Sequence, residues 1–189
     1  MKFLANAVMF LVLSAGTVHA NEFLAELQAL AKGKIAEIAA SAEVIEAVKA
    51  QNGMTAGYDQ AKIDELDKAW RAETEAADQP MIDQVLDNAL SSYLAELQGN
   101  SDGLFTEIFV MDAKGLNVGQ SDVTSDYWQG DEAKWKETYL VGKDAVHVGD
   151  LEEDESTQQL QSQVSVPVTD PQTGENIGAV TFGVNVESL

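Results

Sequence analysis

Residues 125–135 read SDYWQGDEAKW, which puts two of the chain's three tryptophans, a tyrosine, three acids and a lysine in one short stretch. The spacing fits neither a helix face nor a clean strand. Large rings set among charges in a loop either plug a core or close over a ligand. Aromatic faces attract ammonium groups, and a carboxylate adds a charge-assisted hydrogen bond. That combination selects an amine-bearing ligand. The candidate binding set is Tyr127, Trp128 and Trp135 from this loop and Asp150 and Asp154 from the acid run DLEEDES at 150–156. Lys134, Lys136 or Arg71 is the counter-charge for a ligand carboxylate. Trp135 also reads as a core ring, and Trp70 reads as core beside Ile63 and Leu66.

Other chemistries lack their residues. The chain has no cysteine and two histidines, of which only His147 lies beyond residue 20. No His cluster, H-E-x-x-H, G-x-S-x-G or G-x-x-x-x-G-K motif occurs. With 32 acids, carboxylate pairs arise by chance and carry no catalytic signal. The expectation is a non-enzyme with no cofactor and no metal. The acid run leaves one alternative, a Ca²⁺ sensor, because carboxylate oxygens suit hard cations, although its spacing is not that of an EF-hand. A ligand-free structural or interaction protein is the other.

The elements that position these residues follow from periodicity. Apolar residues at 23, 27, 30, 35, 38, 42, 45 and 48 predict one long helix over 23–48, with Gly33 its weak point. A second helix is expected over 59–77. A third opens at Pro80, as a first-turn proline, and stops near Gly99. The period then changes. Strands are expected at 104–112, 116–121, 144–151, 159–170 and 176–186, with a short helix at 132–139. In the last two strands Val164, Val166, Val168, Val180, Phe182, Val184 and Val186 face one way. Gln163, Ser165, Pro167, Ala179, Thr181, Gly183 and Asn185 face the other. The fold class is therefore α+β: a PAS-like five-stranded antiparallel sheet with a long N-terminal helix packed across one face. The loops 121–143 and 150–158 cover the polar face.

The start MKFLANAVMFLVLSAGTVHANE has a basic residue, a short apolar run and the small residues Val18 and Ala20 before a cleavage point. It reads as a signal peptide over 1–20, cut after Ala20, which leaves a periplasmic chain with no stable membrane insertion. Residues 21–189 then form one domain, helical over 21–99 and sheet over 104–189. Without Lys2, ten basic residues face 32 acids, a net charge of −22. A charge of that size repels nucleic acid.

The strand–MDAKG–strand hairpin followed by TSDYWQGDEAKW, and the terminal VSVPV…IGAVTFGVNV pair, carry a resemblance. Over 23–189 the chain resembles a single Cache sensor domain, also called a PDC sensor. The resemblance implies the extracytoplasmic part of a chemoreceptor or histidine kinase. It also implies a small metabolite, often an amino acid or carboxylate, bound between sheet and loops. Ala133 stands where the amino-acid-binding subgroup has an arginine, two residues before Trp135. A free-standing sensor or adaptor is expected, acting on a membrane receptor or histidine kinase.

Overall fold

The computed structural model describes residues 21–153 and 159–189. The first apolar stripe does become helix, but not one helix. It runs as α1 (Leu24–Leu30), a π-turn at Ala31–Ile35 and α2 (Ala36–Ala39), then restarts as α3 (Ala42–Thr55). The first bend falls at Gly33, whose φ −100°, ψ −105° lie outside the helical region. The second falls at Ser41, whose hydroxyl accepts from the Val44 N–H at 3.4 Å and so begins a new helix. The bends leave the stripe intact. Leu27, Ile35, Ile38, Val44, Ile45 and Val48 are all buried in one core with the sheet.

Three more helices follow. Asp59 caps α4 (Gln60–Glu73) through the Lys62 N–H at 2.9 Å. Pro80 opens α5 (Pro80–Leu86), and Asn88 caps α6 (Ala89–Gly99) at the Ser91 N–H, 2.8 Å. The third helix expected from sequence is thus two, because the Asn88 side chain competes for the backbone at the junction.

The sheet contains β1 (Phe105–Asp112), β2 (Asn117–Gln120), β3 (His147–Val148), β4 (Glu152–Glu153), β5 (Leu160–Thr169) and β6 (Asn176–Asn185). Its order is β2-β1-β6-β5-β3, every pair is antiparallel, and β4 pairs with β5 beside β3. Two details differ from expectation. The strand expected over 144–151 shrinks to two residues, because an Ala145 N–H to Gly142 O bond (3.0 Å) holds 142–145 in a turn off the ladder. A sixth strand, β4, forms where the acid run meets Gln161 and Leu160.

The alternation holds in space. Ile108, Val110, Val164, Val166, Val168, Val180, Phe182 and Val184 are buried against α1–α3 and α6. Each such side chain contributes about 1.5–3 kcal/mol by leaving water. The opposite face carries Glu107, Gln161, Gln163, Ser165, Thr181 and Gly183, with Phe109, Met111 and Ala179 at one end under Trp135 and Tyr139.

Candidate ligand-binding cleft

A cleft of about 700 Å³ lies over the polar face of the sheet. Its floor is Thr106, Glu107 and Phe109 of β1 and Gln161 and Gln163 of β5. Residues 122–126 and Gln129 form one wall, Glu152 and Glu153 the other, and Lys134, from a short helix α7 (Ala133–Lys136), closes an end. Two features of the strands make the floor. The β1–β6 register slips between Phe105 and Glu107, so the consecutive residues Thr106 and Glu107 both reach the cleft. Between the two strands, β6 has Gly183. A Cβ there would run into Thr106 Oγ1 and would sit 2.7 Å from both Gln161 Oε1 and Glu107 Cγ.

The floor is hydrogen-bonded across strands. Thr106 donates to Gln161 Oε1, and Gln163 Nε2 donates to Glu107 Oε1 at 2.8 Å. Gln98 of α6 reaches the Thr106 carbonyl (2.6 Å) and Asp122 Oδ2 (2.8 Å). Among the described residues, Glu107, Asp122, Asp126, Glu152 and Glu153 set five carboxylates around the space against one cation, Lys134. Lys134 Nζ sits 2.9 Å from Glu132 Oε2, 3.2 Å from Gln129 Oε1 and 5.3 Å from the Phe109 ring centroid. Burial, with the nearby Glu132 and Asp67 charges, raises the Asp126 carboxyl above its ordinary value, and Arg71 works against that rise.

The covering loop is fixed from behind. Asp67 of α4 accepts the Tyr127 and Trp128 N–H groups, both at 3.0 Å. Trp70 Nε1 donates to the Thr124 carbonyl at 2.8 Å. Asn117 Nδ2 donates to Thr124 Oγ1 (2.8 Å) and to the Asp126 carbonyl (3.1 Å). At the loop's end, Gly115 (φ 81°) meets Gly130 so closely that a Cβ on Gly115 would lie 2.5 Å from Gly130 Cα. Only glycine accommodates both that φ and that approach.

These anchors decide where the expected site residues go. Tyr127 is turned away from the cleft. With its N–H held by Asp67, its ring stacks on Trp70 (centroids 5.4 Å apart) in a cluster with Ile63, Ile82, Val85 and Leu116. Burial and the Asp112 charge raise its phenol's pKa. Trp128 donates its indole N–H to the Lys114 carbonyl at 2.9 Å and closes the hairpin end instead of lining the cleft. Trp135 stacks on Tyr139 at 4.8 Å and donates to the Asp112 carbonyl at 3.1 Å, covering Phe109, Met111 and Ala179 beside the cleft. Lys136 is exposed and donates to the Asp131 carbonyl, and Asp150 is exposed outside the lining. Arg71 touches the wall only through Asp126. Asp154, and with it residues 154–158 of the acid run, lies outside the described residues, as does the expected signal peptide. Among the described residues no group of three or more His, Cys, Asp or Glu is placed to hold a metal ion.

The residues that do converge, Glu107, Asp122, Asp126, Gln129, Lys134, Gln161 and Gln163, had one signal in the sequence. Gln161 and Gln163 share the parity of Ser165, and Glu107 that of Phe109 and Met111, which marks the polar face.

No family model and no curated protein matches the chain. Solved structures do. The ligand-binding domain of the Campylobacter jejuni chemoreceptor Tlp3, in complex with 4-methylisoleucine, is 11% identical, with 84% of this chain and 63% of that one covered and a TM-score of 0.41. The ligand-binding domain of the Pseudomonas aeruginosa PAO1 amino acid chemoreceptor PctC, in complex with GABA, is 16% identical, with 88% and 61% covered and a TM-score of 0.38. The V. cholerae histidine kinase DctB sensor domain is 14% identical, with 88% and 58% covered and a TM-score of 0.39. The chain spans about three fifths of the length of these structures. No helix among the described residues is long and apolar enough to cross a membrane. These three solved structures are two chemoreceptor ligand-binding domains and one histidine kinase sensor domain.

Proposed function

We propose that this chain is a periplasmic sensor or adaptor domain of the Cache type that binds an amine-bearing metabolite, such as an amino acid, in the cleft over the polar face. The observation that carries the reading is the five-to-one excess of carboxylates around a 700 Å³ space, with Lys134 alone at one end. Clefts of 300–1,000 Å³ suit small ligands. An ammonium group brings the charge this lining asks for, and Asp126 and Glu107 are its acceptors. Lys134, already oriented by Glu132 and Gln129, is the group that meets a ligand carboxylate. The overall charge supports the same choice, since it draws cations from a distance at low salt. Export behind residue 20 and output through a membrane receptor or histidine kinase complete the proposal.

A thermal-shift screen of amino acids, amines, amine-free organic acids and Ca²⁺ tests it. A ligand at 100 times its dissociation constant adds about 2.7 kcal/mol of stability, well within detection. Amines that shift the melt, with a response lost in Asp126→Asn, support the reading. Shifts from amine-free acids or Ca²⁺ alone overturn it.

A further inference from the structure

On the other side of the sheet a second cleft, of about 360 Å³, opens between the bent first helices and β5. Two adjacent rows of helix positions face it. Ala31 and Ala39 form the inner row, and Lys32, Ala36 and Ala40 the outer. The kink at Gly33 falls between Ala31 and Lys32 on one side and Ala36, Ala39 and Ala40 on the other. Across from them stand Val166 and Pro167 of β5 and Ala145 and Val146 of the preceding turn. Small residues on the helix leave the space open, and the lining is apolar.

The charge at its mouth inverts that of the whole chain. The sequence has 32 acids and 11 basic residues, yet here Lys32 and Lys143 meet a single acid, Asp144. Neither lysine forms an ion pair among the described residues, although acids are in threefold excess over the chain. An apolar slot with two unpaired ammonium groups at its rim is complementary to a molecule with an aliphatic tail and one anionic head. We infer that this cleft is a second binding site, for a soluble aliphatic carboxylate of medium length. The tail lies along the alanine rows and the head group rests between Lys32 and Lys143.

Calorimetric titration of the chain with hexanoate, octanoate and decanoate tests this, with octanol and octanamide as controls. Affinity is expected to rise about fourfold for each added methylene until the slot is full. Octanoate should bind at least tenfold more tightly than octanol or octanamide. Lys32→Gln with Lys143→Gln should remove that tenfold advantage. Ala36→Leu, which fills the slot from an exposed helix position, should abolish octanoate binding while amine-induced thermal shifts remain. Ala40→Leu is a second filling variant if the first melts early. Equal binding of octanoate and octanol, or octanoate affinity unchanged in both filling variants, overturns the inference. So does association only with anionic lipid vesicles, or a dimer that Ala36→Leu splits, since the slot would then meet a membrane or a second copy.

Discussion

Arg71 Nη2 lies 2.9 Å from Asp126 Oδ2 while its Nε holds Asp67 Oδ2 at 2.8 Å, so one guanidinium joins helix α4 to the wall of the cleft. Asp126 is otherwise an unfavourable place for a charge: it is desolvated, with Glu132 and Asp67 nearby. Arg71→Gln should therefore raise the Asp126 pKa further. Arg71 is half exposed, so the ion pair itself is worth at most about 1 kcal/mol. Carboxyl titration by NMR should move upward with a small loss of stability. A downward shift would contradict the account.

Asp126→Asn separates stability from binding. A carboxyl whose folded pKa is raised favours the fold most when protonated. Its contribution is full below the unfolded value of 3.8 and lost as pH rises through the folded one. The Asn variant should thus melt higher than the parent at pH 7, and the gap should close below pH 3.8. In the parent, amine binding should fall away on acidification at a pH above that expected of an ordinary aspartate. Melting curves from pH 3 to 8 check both statements.

Asp67→Ala should destabilise more than its partial exposure suggests. Its Oδ1 serves the Tyr127 and Trp128 N–H groups and its Oδ2 serves Arg71. Leaving two backbone donors without partners costs about 1–3 kcal/mol. Urea denaturation giving less than about 0.5 kcal/mol would mean that the loop holds its place by other contacts.

Gly183→Ala probes the cleft floor from the strand between β1 and β5. The added methyl must displace Thr106, Glu107 and Gln161 from their rotamers, at about 0.5–1.5 kcal/mol each. Amine affinity should fall about tenfold, measured against the parent by calorimetry.

Ile38→Ala tests the helix–sheet core alone. Ile38 is 7% exposed within that core, and its truncation should cost about 2–5 kcal/mol without altering ligand preference.

The sequence made some of this legible. Period-2 alternation in β5 and β6 identified both faces of the sheet, and the stripe Leu27, Ile35, Ile38, Ile45 identified the helix side that covers one of them. Side-chain parity is a local property, so it survived folding. The rings were misleading for a different reason. Where Tyr127 and Trp128 point is decided by Asp67, sixty residues away, which grips their backbone amides. Likewise, Asp126 is held in the wall by Arg71 of α4, fifty-five residues away, with Asn117 of β2 and Gln129 of its own loop. The reach of Asp67 and Arg71 across some sixty residues leaves no period in the sequence. The bend at Gly33 was visible as a weak point, whereas the restart at Ser41 required noticing a cap inside an unbroken apolar stripe.

The meeting of Gly115 with Gly130 divides the covering loop into parts of unequal tolerance. From Asp126 to Gly130 the chain is threaded between the hairpin and Asp67, and a single added carbon at either glycine obstructs it. Asp122, Val123 and Ser125 are exposed at the mouth of the cleft and lie outside that threading. Variation can accumulate at those three positions while the frame persists. A combinatorial library confined to them would redraw what the opening admits without disturbing how it is built, which makes this rim the natural place to re-engineer selectivity.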